Sequence, residues 1–246
     1  MILAPIWAEL KRAGLGTLPG TAAEILDDAV RQVICPGQAQ HRRMAFDYAA
    51  AHGAGFRTTA TIMFGHTERP HHVASASDPG ANGSARPAGF TEFVPLPFVA
   101  QEAPIYLKHR ARPGPTWREA VLMHAVARLA LHPWIGNIQA SWVKMGPEGV
   151  KACLAAGAND VGGTLMNESI TRAAGAEHGQ EMPPAEMESL IQSVGRAPRM
   201  RTTLYADAPL ERIATAKAAI PLAPVVNTPP VKRAARRAPA AAPAAR

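Results

Sequence analysis

Cysteine is nearly absent from this chain, with two residues, Cys35 and Cys153, among 246. So few and so far apart, they imply no disulfide framework. Cys153 falls on an apolar helical stripe, where a small buried thiol is the ordinary role, and nothing near Cys35 in ICPG would lower a thiol pKa. Long apolar runs are also missing, and no stretch approaches the roughly 20 residues of a membrane span. The opening MILAPIWAELKRAG places a short apolar stretch ahead of its charges, the wrong order for a secretory signal. These absences read as a cytoplasmic protein without a membrane partner.

Acidic residues are outnumbered, and the net charge is +7. Beyond Ala206 there are seven Lys or Arg against two Asp or Glu, so +5 of that charge belongs to the carboxyl-terminal segment. Residues 206–246 are rich in Pro and Ala, lack an apolar face and read as a disordered tail. Its Lys232, Arg233, Arg236 and Arg237 read as a solvated basic run, and the rest of the chain carries too little charge for nucleic acid to be the expected partner.

The 47 % hydrophobic content can bury one sizeable core over residues 1–205. Thr21-x-x-Glu24 has a capping-box pattern that predicts a helix with Ile25, Leu26, Ala29, Val30 and Val33 on one face. Thr116-x-x-Glu119 repeats it, with Leu122, Ala125, Val126 and Leu129 as the apolar stripe and a stop before His132-Pro133. Pro147 opens a helix that Gly157 closes, with Val150, Cys153 and Leu154 inward. Pro184 to Val194 reads as the last, with Met187, Leu190, Ile191 and Val194 inward. Thr58–Phe64, Thr91–Leu96, Ile138–Val143 and Val161–Met166 have the β-branched and aromatic content of strands. Strands alternating with helices imply parallel pairing and an α/β fold.

Several segments carry a family resemblance: GLGTLPGTAAEILDD, RTTATIMFGH, GFTEFVPLPF, APIYLK, ARPGPTWREAVLMHAVARLALHPWI and the block Asn137–Tyr205 with ANDVGGTLMNES and HGQE. They resemble the radical S-adenosylmethionine (SAM) enzymes that make the deazaflavin of coenzyme F420, in particular the tyrosine-using half of FO synthase. The resemblance implies the carboxyl-terminal portion of a (β/α) TIM-type barrel. Four recognisable strands are too few to close one. It also implies a reaction. Reductive cleavage of SAM yields a radical that takes hydrogen from L-tyrosine, and the resulting 4-hydroxybenzyl group is transferred to 5-amino-6-(D-ribitylamino)uracil. The cofactors implied are SAM and a [4Fe–4S] cluster. The cluster's CxxxCxxC ligands are absent from this sequence, so the isolated chain is expected to be inactive unless another fragment supplies them. The alternative is a non-catalytic remnant of a truncated or frameshifted gene. In that direction point two stretches that match the family poorly, residues 36–55 and 67–88, the second read as a long loop.

Active sites of such barrels lie at the carboxyl ends of the strands. Gly65-His66, Pro97-Phe98, Lys144 and Asn167-Glu168 would then line one mouth. The resemblance makes His66 of MFGH the candidate catalytic residue, as hydrogen-bond partner or proton carrier for a phenol. Glu24 is the candidate SAM contact, with helix capping as its other role. Gln139, Ser141, Asn159, Asp160, Thr164, Asn167 and Glu168 supply the donors and acceptors that a uracil and a ribityl chain require, although Asn159 and Asp160 also suit a turn. His66, Glu68, His71 and His72 cluster in sequence without the i,i+4 helical spacing of a metal site, so no resident metal is assigned to them.

Overall fold

The computed structural model describes residues 3–20, 23–38, 41–77, 89–165 and 167–223. Three strands, β1 (Thr17–Leu18), β2 (Arg57–Phe64) and β3 (Phe90–Pro97), pair in parallel in that order. Two short ones, β4 (Gln139–Ala140) and β5 (Asp160–Val161), pair in parallel beside them. A parallel bridge between Phe93 and Ile138 joins the groups. The Phe93 amide donates to the Asn137 carbonyl at 2.9 Å, and Asn137 Nδ2 donates to the Thr91 carbonyl at 2.8 Å. The result is an arc of five parallel strands in chain order. That is a mixed α/β architecture, with each strand's carboxyl end on the same side.

Helices α1 (Leu3–Arg12), α2 (Asp28–Ile34), α3 (His41–Gly53), α4 (Pro70–Ser77), α5 (Pro104–Leu107), α6 (Trp117–Leu131), α7 (Trp142–Ala155), α8 (Ile170–Ala173), α9 (Pro184–Ser193) and α10 (Leu210–Ala218) surround the arc. Apolar residues on the strands meet the helices in two clusters. Ile25, Ile62, Phe93, Ala127, Leu131 and Ile138 form one, and Phe64, Trp142, Val150, Cys153, Leu154 and Leu190 anchor the other.

The predicted strands β2 and β3 are present. β4 and β5 are shorter than expected because Trp142 already begins α7 and the chain after Val161 runs irregularly. The Thr116 capping box forms in full, with Thr116 Oγ1 accepting from the Glu119 amide and Glu119 accepting from the Thr116 amide. Pro147 starts a helical run as read, after a break at Gly146, whose φ of 64° sets the first turn of α7 apart from the rest. α9 presents Met187, Leu190, Ile191 and Val194 to the core as predicted.

Four expectations are corrected. The helix after PGTAAE starts at Asp28 with Asp27 as its cap, because the Asp27 carboxylate accepts from the Val30 amide at 2.9 Å while Glu24 has φ 50°. Thr21 of the predicted capping box lies outside the described residues. In α6 the predicted stripe faces outward. Leu122, Val126 and Leu129 are exposed, and Ala120, His124, Ala127 and Leu131 are buried, because small side chains let the helix approach the strands closely. Residues 67–88, read as a long loop, contain α4, while 36–55, read only as a poor match, contains α3; residues 78–88 lie outside the described set. α10 lies within the segment read as a disordered tail, and that segment beyond 223, with Lys232, Arg233, Arg236 and Arg237, is also outside. No described helix is long and apolar enough to cross a membrane.

Ile138 joins the two strand groups and is fully buried. Ile138→Ala is therefore expected to cost about 2–5 kcal/mol, read as a lower urea midpoint with an unchanged slope. A loss under about 1 kcal/mol would show that the seam carries little of the fold.

Candidate active site at the carboxyl ends of the strands

The arc brings four charged or titratable residues from distant parts of the chain to one mouth. Glu24 follows β1, and its carbonyl accepts from the Met63 amide at 2.6 Å. Gly20, just before it, is obligatory, because a Cβ there would lie 1.7 Å from the Thr59 carbonyl oxygen. His66 follows β2, Lys144 lies in the first turn of α7 after β4, and Glu168 lies in the loop after β5. Burial lowers the Lys144 pKa, while the carboxylates of Glu168 and then Glu24 pull it back up. The Glu24 charge also reaches His66.

His66 is 1 % exposed and has no open ring nitrogen. Nε2 donates to the Met63 carbonyl at 3.0 Å, and Nδ1 accepts from the Thr67 amide at 2.7 Å. Burial lowers its pKa against the pull of the Glu68 carboxylate, whose Oε2 lies 3.1 Å from Nδ1. A proton carrier needs a nitrogen facing its substrate, and this one faces the protein. Glu68 and Arg112 hold the loop that carries it. Glu68 accepts from the Gly65 and His66 amides at 2.6 and 2.8 Å, and Arg112 bridges Glu68 and Glu119 at 3.2 and 2.7 Å. Burial pushes the Glu68 carboxyl upward, but those amide donors and His66 outweigh it and hold the pKa below the usual range. A carboxylate two residues after MFGH was the available signal.

The residues predicted to bind substrate divide by position. Ser141, Thr164, Asn167 and Glu168 lie on the carboxyl side. Ser141 is buried and caps α7 through its carbonyl, which accepts from the Lys144 and Met145 amides. The Thr164 carbonyl accepts from Met182, and exposed Asn167, at φ 58°, accepts from Arg172 at 3.1 Å. Glu168 Oε1 accepts from the Thr171 amide at 2.9 Å, whereas its buried Oε2 has no hydrogen-bond partner.

Gln139, Asn159 and Asp160 lie at the opposite ends, where β4 and β5 begin. Asn159 Oδ1 accepts from the Ile138 amide at 2.9 Å and from Arg128 at 2.5 Å. Asp160 accepts from Gln139 Nε2 at 2.7 Å, Tyr205 Oη at 2.7 Å and Arg201 at 2.8 and 2.5 Å. Glu92 joins through Arg201 and Tyr205, and burial raises both the Glu92 carboxyl and the Tyr205 phenol pKa. These three predicted binders are occupied in pinning the strand starts, a role that uses the same residue types as ligand recognition. Of the two thiols, Cys153 is fully buried and pushed up to about 12, and burial raises half-buried Cys35 at the end of α2. Two thiols on separate elements do not fit the three-thiolate demand of a [4Fe–4S] cluster.

Burial lowers the pKa of His52, His66 and His124 below the ordinary 6.5. The unfolded chain binds protons first as pH falls, so their contribution is intact above about pH 6.5 and is lost as pH drops through the folded values. Urea midpoints from pH 8 to 5 should fall in that direction, and a midpoint that rises toward pH 5 would contradict it. Glu68→Gln should cost about 3 kcal/mol, the lower end for a broken buried pair because Arg112 keeps Glu119. An unchanged midpoint for that variant would mean the His66 loop is held by other contacts.

Residues 87–213 match the family model described as the CofH/MqnC C-terminal region. The chain is 48 % identical over 197 residues to an FO synthase of Mycobacterium leprae, covering 80 % of this chain and 23 % of that protein. It is 46 % identical over 202 residues to an FO synthase of Streptomyces coelicolor, again over 23 % of the relative. Over 196 residues it is 46 % identical to the 5-amino-6-(D-ribitylamino)uracil–L-tyrosine 4-hydroxyphenyl transferase of Methanothermobacter thermautotrophicus, covering 80 % of this chain and 53 % of that one. The chain thus spans about a quarter of the FO synthases and about half of the transferase. The matched segment takes in 127 of the 246 residues and includes β3 to β5 with the Lys144 and Glu168 side of the mouth, and the chain belongs to the CofH/MqnC C-terminal region family.

Proposed function

We propose that this chain forms the carboxyl-side part of a radical SAM transferase that moves the 4-hydroxybenzyl group of L-tyrosine to 5-amino-6-(D-ribitylamino)uracil in coenzyme F420 biosynthesis. The observation that carries this is the 46 % identity over 196 residues to a transferase named for those two substrates. Such identity across 80 % of the chain does not favour the reading of a degraded remnant. The five-strand arc is then a portion of a (β/α) barrel whose other strands, with the cluster ligands, belong to sequence beyond this chain. No step is assigned here to the cluster, because its thiolates are not among these residues.

For SAM the fit is better. Glu24 sits at the mouth as an acidic group, half-buried and clear of the α2 cap, which leaves its carboxylate for the ribose or the amino group of the cofactor. When bound, SAM supplies the radical that takes hydrogen from tyrosine. The chain's own residues bind and orient. Ser141, Thr164 and Asn167 offer hydrogen bonds to the polar acceptor substrate, and Phe98 and His66 close the apolar side with their rings 6.1 Å apart. His66, through Met63 and Glu68, holds the loop after β2 in place.

A chimera tests this proposal. Residues 14–213 would replace the matching segment of the archaeal transferase, with the relative's own cluster-binding half retained. Anaerobic reconstitution with tyrosine, SAM and the ribitylaminouracil should yield the 4-hydroxybenzyl adduct by mass spectrometry, at a rate within about a hundredfold of the parent. A chimera that folds and takes up its cluster yet forms no adduct would sink the assignment.

A further inference from the structure

Two groups of opposite charge at the mouth are incompletely satisfied among the described residues. Among the described residues Lys144 has no hydrogen bond through its ammonium and no ion pair within 4.0 Å, although it is half-buried. Glu168 uses Oε1 on the Thr171 amide and leaves Oε2 buried without a donor. Buried charges ordinarily find a counter-ion or a full set of hydrogen bonds, because desolvation is otherwise uncompensated. The two groups feel each other, since Glu168 is the leading charge acting on Lys144, yet they do not touch.

Each stands on a constrained stretch of backbone. Lys144 belongs to the first turn of α7, which breaks at Gly146, and the ring of His178 occupies the space a Cβ at Gly146 would need, 2.7 Å from its position. Glu168 is tied at three points. Its amide donates to the Gln180 carbonyl at 2.8 Å, its carbonyl accepts from Arg172 at 2.6 Å, and its side chain holds the Thr171 amide. An ammonium and a carboxylate oxygen at the same mouth, each without a partner of its own, make a receptor for a molecule carrying both complementary charges on adjacent atoms.

We infer that Lys144 and Glu168 form a clamp for a zwitterionic α-amino-acid group, Lys144 taking its carboxylate and Glu168 Oε2 its ammonium. The inference rests on the proposed function in that two α-amino acids, L-tyrosine and SAM, are the sources such a clamp would serve. The bound group satisfies both orphaned charges at once, and an amine or an acid alone satisfies only one.

The full chain, labelled with ¹³C at lysine Cε and with the Lys144 signal assigned by loss in Lys144→Gln, provides the test. L-Tyrosine and 3-(4-hydroxyphenyl)propionate should displace that signal, and tyramine should not. Calorimetry on Glu168→Gln should show L-tyrosine weakened about tenfold and the propionate unchanged. Displacement by S-adenosylhomocysteine in place of L-tyrosine would keep the clamp and make the cofactor's amino acid its occupant. An unmoved Lys144 signal with every α-amino acid at millimolar concentration, or an equal shift with tyramine, would overturn it. L-Tyrosine heat with Lys144 unmoved would remove the clamp and leave the proposed transferase standing. A dead chimera with the clamp intact would do the reverse.

Discussion

The whole arrangement depends on a narrow seam between β3 and β4. Along the strands themselves, a bridge at Phe93 and Ile138, one backbone hydrogen bond and the Asn137 side chain join the three-stranded group to the two-stranded one. Below the seam, Arg201 reaches across it to Glu92 on β3 and Asp160 on β5, and Tyr205 repeats the crossing. Above it, the seam sets the distance between Glu24 and His66 on one side and Lys144 and Glu168 on the other. Parallel strands in chain order place all their carboxyl ends together, so one join determines both the floor and the mouth.

The two ends of the arc treat charge differently. At the floor every carboxylate is matched, by Arg201, Tyr205 or Gln139, and the network serves to fix strand starts. At the mouth, among the described residues, Lys144 has no ion-pair partner and one oxygen of Glu168 has no donor. A fold can hold such groups only where the surrounding backbone over-determines their positions, and here Gly20, the Gly146 break and the three ties on Glu168 do so.

Much of this was legible in sequence. β2 and β3 announce themselves by β-branched and aromatic content, the Thr116 capping box by its spacing, and the α7 run by Pro147. The start of α2 was misread because Thr21-x-x-Glu24 and Asp27 are both capping patterns, and only the backbone turn at Glu24 chooses between them. The site was half legible. Asn, Asp and Gln look alike whether they wait for a ligand or pin a strand, so Gln139, Asn159 and Asp160 could not be told from Thr164 and Glu168 until the direction of β4 and β5 was known. The partner of Asp160 is Arg201, 41 residues on, and no local pattern links them. His66 was found by motif, yet its tautomer and burial belong to the loop around it.

Helix α6 turns Leu122, Val126 and Leu129 to solvent and Ala120 and Ala127 to the core. Hydropathy therefore ranks its positions in the wrong order for mutational tolerance. Leu122, Val126 and Leu129 can drift to polar residues at a cost of a few tenths of a kcal/mol, roughly the surface range. Ala120 and Ala127 cannot grow by even a methylene without pushing the helix off the sheet. A designer seeking solubility would find the freedom on the face that a periodicity plot marks as core.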